Sequence, residues 1–250
     1  EHMPSDARVH YAYLDAGGVA PNVVQGRAVV RYAVRARDLA QMQALVARVR
    51  KVAEGAALMT ETAVDIKVIS AVSNLMGNAP LERAMQVNFE RLGPPQWDDA
   101  DRAFARAIQA TLSDEDLAAP YKKAGLPMRR DEPLAEAILP LGQTGVPMIG
   151  STDVGDVSWV VPLVQADGAT CAVGTPFHSW QLTAQGKTPM AKKGMVHVAK
   201  VMAATALDAI RDPALVAAAK ADLAERTRET PYVCPLPPDV MPPLQPRPAG

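Results

Sequence analysis

The sequence has few aromatic residues, few cysteines and no long apolar run, and each shortage excludes a class of protein. Aromatic residues make up 4% of the 250 residues, which predicts helix-rich layers packed through small aliphatic side chains. The two cysteines, Cys171 and Cys234, are too few for a disulfide framework or a cysteine-based zinc motif. A reduced, cytoplasmic compartment is therefore expected. No apolar run reaches about 18 residues, so no transmembrane helix is predicted, and the N-terminal residues lack the pattern of a signal peptide.

Charge and motif content exclude further classes. The 26 basic and 27 acidic residues give a formal net charge of -1, which does not favour binding to nucleic acid or to a membrane surface. The sequence has no Ser-His-Asp arrangement, P-loop or dinucleotide-binding glycine spacing. With 48% apolar residues, the chain is long enough to bury a sizeable core in one or two domains.

Residues 1–72 have the pattern of a small α+β layer. Apolar spacing predicts a helix over 39–54, with Asp38 as its N-cap and Gly55 at its end. Alternating and β-branched residues predict strands over three ranges: 7–15, 23–36 and 62–72. Such a layer covers one sheet face with the helix and leaves a sheet edge available.

Residues 73–230 have a helical pattern with loops, and together the two regions predict an α/β fold class. Turn-rich sequence over 111–145 predicts loops with short helices, and 159–164 reads as an irregular or edge strand because it contains Pro162. Residues 231–250 carry eight prolines and are expected to lie extended over the surface or on a partner. Helices are predicted over four ranges: 80–92, 98–110, 191–212 and 214–227.

His178 is the strongest candidate for chemistry, because it follows Gly174 and Pro176 in a loop and imidazole is a common metal ligand. A loop histidine that is hydrogen-bonded to the backbone is an equal alternative. The loop Gly150-Ser151-Thr152-Asp153 can orient the surroundings of a metal or present N–H groups to an anion. The same residue types are also ordinary helix-capping chemistry.

Asn22 and Arg35 form a second set of candidates. Asn22 follows a glycine- and proline-containing turn, where its amide can act as a donor, and Arg35 ends an apolar strand, where a guanidinium suits a carboxylate. A turn asparagine and a solvated arginine are the alternatives. His197 lies within a helical pattern, where a buried, hydrogen-bonded histidine is expected rather than a ligand.

Four segments of the sequence together carry a resemblance to known proteins. In chain order they are Asp15-Ala-Gly-Gly-Val-Ala-Pro-Asn-Val-Val24, Gly150-Ser-Thr-Asp-Val-Gly-Asp-Val-Ser-Trp159, Gly174-Thr-Pro-Phe-His-Ser-Trp-Gln181 and Lys193-Gly-Met-Val-His-Val-Ala-Lys200. They resemble the C-terminal portion of proteins like the B-type subunit of aminobenzoyl-glutamate hydrolase, which belong to the dinuclear-metal amidohydrolase family together with aminoacylases and glutamate carboxypeptidases. The resemblance extends over nearly the whole chain and weakens in the proline-rich tail.

The resemblance implies a catalytic α/β domain of metallo-aminopeptidase type, interrupted by an α+β lid that also forms a homodimer. Residues 1–72 would be most of the lid, 73–230 the C-terminal half of the catalytic domain and 231–250 a proline-rich tail. Two divalent ions, zinc or manganese, are implied as cofactors. The family's other metal ligands and its glutamate base precede the lid and have no counterpart in this sequence, so an N-terminal companion segment or subunit is expected.

The resemblance also implies roles for the candidates. His178 would be the last metal ligand, Asn22 would polarise the scissile carbonyl, in several relatives across the dimer, and Arg35 would hold the substrate carboxylate. The loop Gly150 to Asp153 would line the pocket. The expected activity is metal-dependent hydrolysis of the amide bond in N-acyl or N-aroyl amino acids such as aminobenzoyl-glutamate, with the isolated chain inactive. A non-catalytic dimerisation or regulatory fragment is the first alternative, and a binding protein for small acids is the second.

Overall fold

The computed structural model describes residues 3–142 and 150–241, a mixture of helices with a two-stranded sheet. The chain divides into two compact units. Unit 1 takes its described residues from Glu1–Leu75, Ile149–Asp156 and Val233–Gly250, and unit 2 takes its described residues from Met76–Met148 and Val157–Tyr232. The mixture agrees with the predicted α/β class. The predicted tail beyond residue 241 and part of the predicted loop region 111–145 lie outside the described residues.

Unit 1 contains a β-hairpin and one long helix. Strands β1 (Arg8–Asp15) and β2 (Val29–Arg35) are antiparallel, with a register irregularity between Tyr13 and Asp15. Helix α1 (Leu39–Met59) begins after Asp38, whose side chain accepts a hydrogen bond from the Gln41 N–H. The sequence therefore predicted β1, β2 and the start of α1 correctly, although the predicted range 23–36 begins six residues before β2.

Two predictions in unit 1 are wrong. Helix α1 does not end at Gly55 but continues to Met59, because glycine inside a helix costs only about 1 kcal/mol and the next residues are good helix formers. Residues 62–72 form no strand within the described part of the chain. A strand needs a neighbour for its backbone hydrogen bonds, and the alternating pattern does not supply that neighbour.

Unit 2 is built from helices. The further helices of the chain are α2 (Ala79–Leu92), α3 (Asp99–Gln109), α4 (Asp114–Ala124), α5 (Val154–Ser158), α6 (Trp180–Gln185), α7 (Pro189–Arg211) and α8 (Pro213–Thr227). The predictions at α2, α3, α7 and α8 are confirmed, and Asp212 caps α8 by accepting a hydrogen bond from the Ala214 N–H. The predicted strand 159–164 is wrong, because the short helix α5, which begins in unit 1, ends at Ser158 and turns follow it.

The core of unit 2 packs α3 and α7 around a buried segment near Leu134. Trp97 donates from Nε1 to the Ala135 carbonyl at 3.0 Å, which places its indole at the edge of this core. Gly194 in α7 lies so close to the Ala169 carbonyl that a Cβ would collide with it. This glycine allows the segment before the His178 loop to cross α7. The buried cluster is Trp97, Ala105, Ile108, Leu134, Ala172 and Met190.

None of the helices in the described ranges combines the length and the apolar character that a membrane span requires.

Candidate functional site

The His178 loop lies in unit 2, between the buried Ala172 and α6. His178 itself is exposed, and its backbone φ is +62°. A positive φ is uncommon for residues other than glycine and is found more often at functional sites than elsewhere. The loop therefore presents the imidazole to the surface of unit 2 from a constrained backbone.

Hydrogen bonds hold this loop on both sides of His178. On the N-terminal side, the Thr175 hydroxyl donates to the Ala172 carbonyl at 2.7 Å. On the C-terminal side, the Ser179 hydroxyl donates to the Pro176 carbonyl at 2.7 Å and accepts from the Leu182 N–H at 3.3 Å. Ser179 is thus the N-cap of α6 and also closes the turn that carries His178.

Hydrogen bonds and close packing also connect the loop to other parts of unit 2. The Val173 N–H donates to the Pro133 carbonyl at 2.9 Å, and Gln109 Nε2 donates to the Val173 carbonyl at 3.1 Å. Gly174 has φ +90° and packs against Leu117 with no space for a side chain. These contacts connect the loop to α3 and α4.

The side chains around His178 are aromatic and exposed. Phe177 is 76% exposed and Trp180 is 61% exposed. The nearby Cys171 is mostly buried, and this burial raises the pKa of its thiol, so Cys171 does not have the properties of a reactive thiolate. Phe177 and Trp180 therefore add exposed apolar surface on both sides of the imidazole in the sequence.

A metal site is not complete within the described residues. No group of three or more His, Cys, Asp or Glu side chains in 3–142 and 150–241 is placed to hold a metal ion. His178 fits such a site as one imidazole ligand, because it is exposed and projects from an anchored loop. The remaining ligands would have to come from elsewhere.

The loop Gly150 to Asp153 belongs to unit 1 and makes local capping contacts. The Val154 N–H donates to Thr152 Oγ1 at 3.3 Å, and the Gly155 N–H donates to the Thr152 carbonyl at 3.2 Å. Gly150, Ser151 and Asp153 are exposed. Thr152 therefore caps the start of α5, as the alternative interpretation of this loop expects. The pocket-lining role of the loop stays a prediction.

Asp156 connects this loop to Ser73. Its carboxylate accepts from the Ser73 hydroxyl at 2.7 Å and from the Ser73 N–H at 3.2 Å. Gly155 lies against the Ser73 carbonyl, and a Cβ there would collide with it. The second aspartate of the motif therefore has a structural role within unit 1.

Asn22 and Arg35 also lie in unit 1, and both are exposed. Asn22 occupies a turn in which the Val23 N–H donates to the Ala20 carbonyl at 3.3 Å. Arg35 ends β2, opposite Arg8 in the strand register. Both side chains are accessible to a ligand, and their predicted roles are not decided by this geometry.

The Lys193–Lys200 motif has a structural explanation. Lys193 donates to Asp98 at 2.6 Å and also pairs with the buried Asp101, which connects α7 to the start of α3. His197 Nε2 lies 2.6 Å from the Gly93 carbonyl, and its ring lies 6.1 Å from the Phe89 ring. The expectation of a hydrogen-bonded histidine is confirmed, whereas His197 is half-buried and not fully buried as expected.

The sequence did not point to Gln185, whose side chain hydrogen-bonds to Ala172 and Thr175 in the segment before His178. Gln185 is fully buried, and its Oε1 accepts from the Ala172 N–H at 2.7 Å. Glutamine is usually a surface residue, so nothing in the sequence indicates that Gln185 is buried. Ser179 was a detectable signal, since it precedes α6 as a capping residue.

Similarity to known proteins agrees with the resemblance. No protein-family model matches the chain. The B-type subunit of p-aminobenzoyl-glutamate hydrolase from Escherichia coli (strain K12) is 42% identical over an alignment of 252 residues. The alignment covers 97% of this chain and 52% of that relative. The chain thus spans about half the length of the curated relative it matches. At this identity along nearly its whole length, the chain is similar to that B-type aminobenzoyl-glutamate hydrolase subunit over the half of the subunit that it spans.

Proposed function

We propose that the chain is part of a hydrolase that cleaves the amide bond of p-aminobenzoyl-glutamate or a similar N-acyl or N-aroyl amino acid. The similarity to a relative with that name supports the substrate class. The relative is named as one subunit of a hydrolase, and the chain spans about half of its length. The activity therefore belongs to a larger assembly, in which this chain is one part.

The structural observation that supports the proposal is the exposed position of His178 on its loop. An exposed imidazole with φ +62° lies on a loop that hydrogen bonds anchor on both sides. In the assembled enzyme His178 would be one ligand of a site for two divalent ions, zinc or manganese. When bound, such ions lower the pKa of a coordinated water, so that hydroxide is available near neutral pH.

The candidates of unit 1 would act on the substrate. The Asn22 amide would donate a hydrogen bond to the scissile carbonyl as negative charge develops on its oxygen. The Arg35 guanidinium would bind the carboxylate of the amino-acid product, and residues 150–153 would line the pocket. The exposure of Asn22 and Arg35 is compatible with these roles.

Residues 1–72 would be most of a lid and dimerisation domain, and 73–230 would be the second half of a catalytic α/β domain. An exposed aromatic face of the hairpin supports an interaction partner for this region. Tyr11, Tyr13 and Tyr32 are more than half exposed on one face of the hairpin. Large exposed apolar surfaces mark interaction sites.

Unit 2 carries a comparable surface on α7. An apolar groove of about 350 Å³ lies between α7 and the segment around Gly168. Met195 and Met202 line it and are more than half exposed. A further segment of the hydrolase would cover this groove in the assembled enzyme.

The test replaces His178 in the complete enzyme. His178→Ala should reduce bound zinc or manganese and hydrolysis of p-aminobenzoyl-glutamate together, because the variant loses a metal ligand. Metal content is measured by elemental mass spectrometry on the purified protein. His10→Ala is the matched control, since His10 is an exposed histidine on β1. Unchanged metal stoichiometry in His178→Ala would refute the ligand role.

A further inference from the structure

Gln185 is the last residue of α6, and its side-chain amide is completely buried. The amide makes three hydrogen bonds. Its Oε1 accepts from the Ala172 N–H at 2.7 Å, while Nε2 donates to Thr175 Oγ1 at 3.0 Å and to the Gln181 carbonyl at 3.0 Å. Two of the three partners belong to the segment that leads to His178, so one buried group connects α6 to both ends of residues 172–175.

Thr175 completes a closed set of hydrogen bonds. Its hydroxyl accepts from Gln185 and donates to the Ala172 carbonyl at 2.7 Å, to which the Thr175 N–H also donates at 3.1 Å. Every polar atom in this set is satisfied by another member or by the loop backbone. Such fully satisfied buried networks fix one conformation. The position of residues 172–175 therefore depends directly on the Gln185 amide.

His178 follows this segment by three residues. Its positive φ persists only where the surrounding structure determines the backbone. Ser179 holds the chain on the other side through its hydrogen bond to the Pro176 carbonyl. The imidazole is therefore placed between a Gln185-dependent segment and the Ser179 cap, while the ring itself projects from the surface of unit 2.

We propose that Gln185 is a positioning residue for His178. The buried amide fixes residues 172–175 and thereby the direction of the imidazole, although it does not touch the ring. The consequence for metal binding rests on the proposed function, whereas the effect on the imidazole does not. Without the amide, the Ala172 N–H and the Thr175 hydroxyl lose a buried partner, and His178 samples several orientations.

The experiment uses the complete enzyme and two readouts. The first is zinc affinity, measured by competition with a chelator. The second is the imidazole NMR signal of His178 in protein labelled with ¹⁵N-histidine, which is assigned as the signal that His178→Ala removes. The variants are Gln185→Leu, Thr175→Val and the conservative Thr175→Ser. The two Thr175 variants test the same network if Gln185→Leu does not fold.

A matched control separates positioning from general destabilisation. Asn88 is an equally buried amide in α2, and its Nδ2 donates to Thr205 Oγ1 at 3.2 Å and to Asp208 Oδ2 at 2.6 Å. Asn88→Ala should lower the resistance to urea in the same way as Gln185→Leu. It should leave zinc affinity and the His178 signal unchanged, because these hydrogen bonds connect α2 to α7 and not to the loop.

The expected result is a shifted or broadened His178 signal and about tenfold weaker zinc binding in Gln185→Leu and Thr175→Val. Thr175→Ser should behave like the wild type, since it keeps the hydroxyl. A His178 signal that is unchanged from the wild type in both Gln185→Leu and Thr175→Val would overturn the positioning role. If His178→Ala leaves zinc binding intact while Gln185→Leu still alters the His178 signal, the ligand assignment fails and the positioning role stands.

Discussion

At the scale of single residues, the backbone conformation of His178 has a cost in stability. A non-glycine residue with positive φ brings its Cβ close to the following carbonyl oxygen, which costs roughly 1–2 kcal/mol. His178 adopts this conformation at φ +62°, and the hydrogen bonds of the loop maintain it. Glycine would adopt the same φ more easily than histidine.

The backbone strain gives a prediction that does not involve catalysis. His178→Gly should be more stable than His178→Ala by about 1 kcal/mol, because glycine adopts positive φ without the Cβ clash and loses part of this gain to chain entropy. Urea unfolding of both variants measures the difference.

The control for this comparison is a helical position. Ala203 is exposed in α7, and Ala203→Gly should destabilise the protein by about 1 kcal/mol. The preference between alanine and glycine is therefore opposite at the two sites. Equal stability of His178→Gly and His178→Ala would show that the loop backbone is unstrained.

At the scale of elements, ion pairs of Lys193 connect α7 to the start of α3. Asp98 and Asp101 form a capping box at the start of α3, and Lys193 of α7 binds both carboxylates. The hydrogen bond from Lys193 is the main reason why the pKa of Asp98 lies below its ordinary value. Hydrogen bonds to Asp101 and Asp98 raise the pKa of Lys193.

These pKa shifts define a pH window for the contact. Because the folded pKa of Asp98 is depressed, its contribution to stability is present above the unfolded pKa near 4 and is lost as pH falls through the folded pKa. The raised pKa of Lys193 gives a contribution that is present below about pH 10 and is lost as pH rises through the folded value. The connection therefore stabilises the fold across the neutral range.

Lys193→Met should reduce the free energy of unfolding at pH 7 and should reduce it less at an acidic pH below about 4, because the contribution of Asp98 is lost as pH falls through its lowered folded pKa. Urea titrations at both pH values measure this. Lys200→Met is the control, because Lys200 is exposed on the same helix and makes no ion pair in the part of the chain that the structure describes. A loss of stability that is independent of pH would contradict the ionic explanation.

The sequence predicts the elements that depend on local information. Helices α2, α7 and α8 follow from apolar spacing together with caps and prolines at their starts, since these signals lie within the helix itself. Helix α6 was missed because six residues are too short for a period to show. The predicted strands at 62–72 and 159–164 failed because a strand depends on a partner, which alternation does not identify.

The candidate site was predictable to a similar degree. His178 was identified because it lies in a loop with glycine and proline. Ser179 was not identified, although a serine before a helix is a local signal for an N-cap. Gln185 could not be identified, because its burial results from packing between α6 and residues 172–175. Sequence patterns thus identify exposed loop residues such as His178 more readily than buried residues such as Gln185, which support the loop from within the fold.

At the scale of the whole molecule, the proposed chemistry is divided between the two units. Unit 2 holds the proposed metal ligand His178, and unit 1 holds Asn22 and Arg35, which are proposed to act on the substrate. The two groups should therefore affect different measurements. Loss of His178 should change metal content, whereas loss of Arg35 should leave metal content unchanged and weaken recognition of the substrate carboxylate.

This separation can be tested on β2 with a matched pair of arginines. Arg31 and Arg35 are both exposed and lie on the same face of the strand, because side chains alternate along it. Arg35→Ala should raise KM for p-aminobenzoyl-glutamate about 10- to 100-fold, since a hydrogen bond to a charged group contributes about 1.5–3 kcal/mol. Arg31→Ala removes the same charge and should change KM little.

The dimethyl ester of p-aminobenzoyl-glutamate distinguishes a carboxylate contact from a general effect. Arg35→Ala should have little influence on hydrolysis of the ester, because the ester offers no negative charge to the guanidinium. Steady-state kinetics on both substrates, with metal content measured on the same samples, give the comparison. An equal loss on acid and ester would mean that Arg35 stabilises unit 1 and does not bind the substrate.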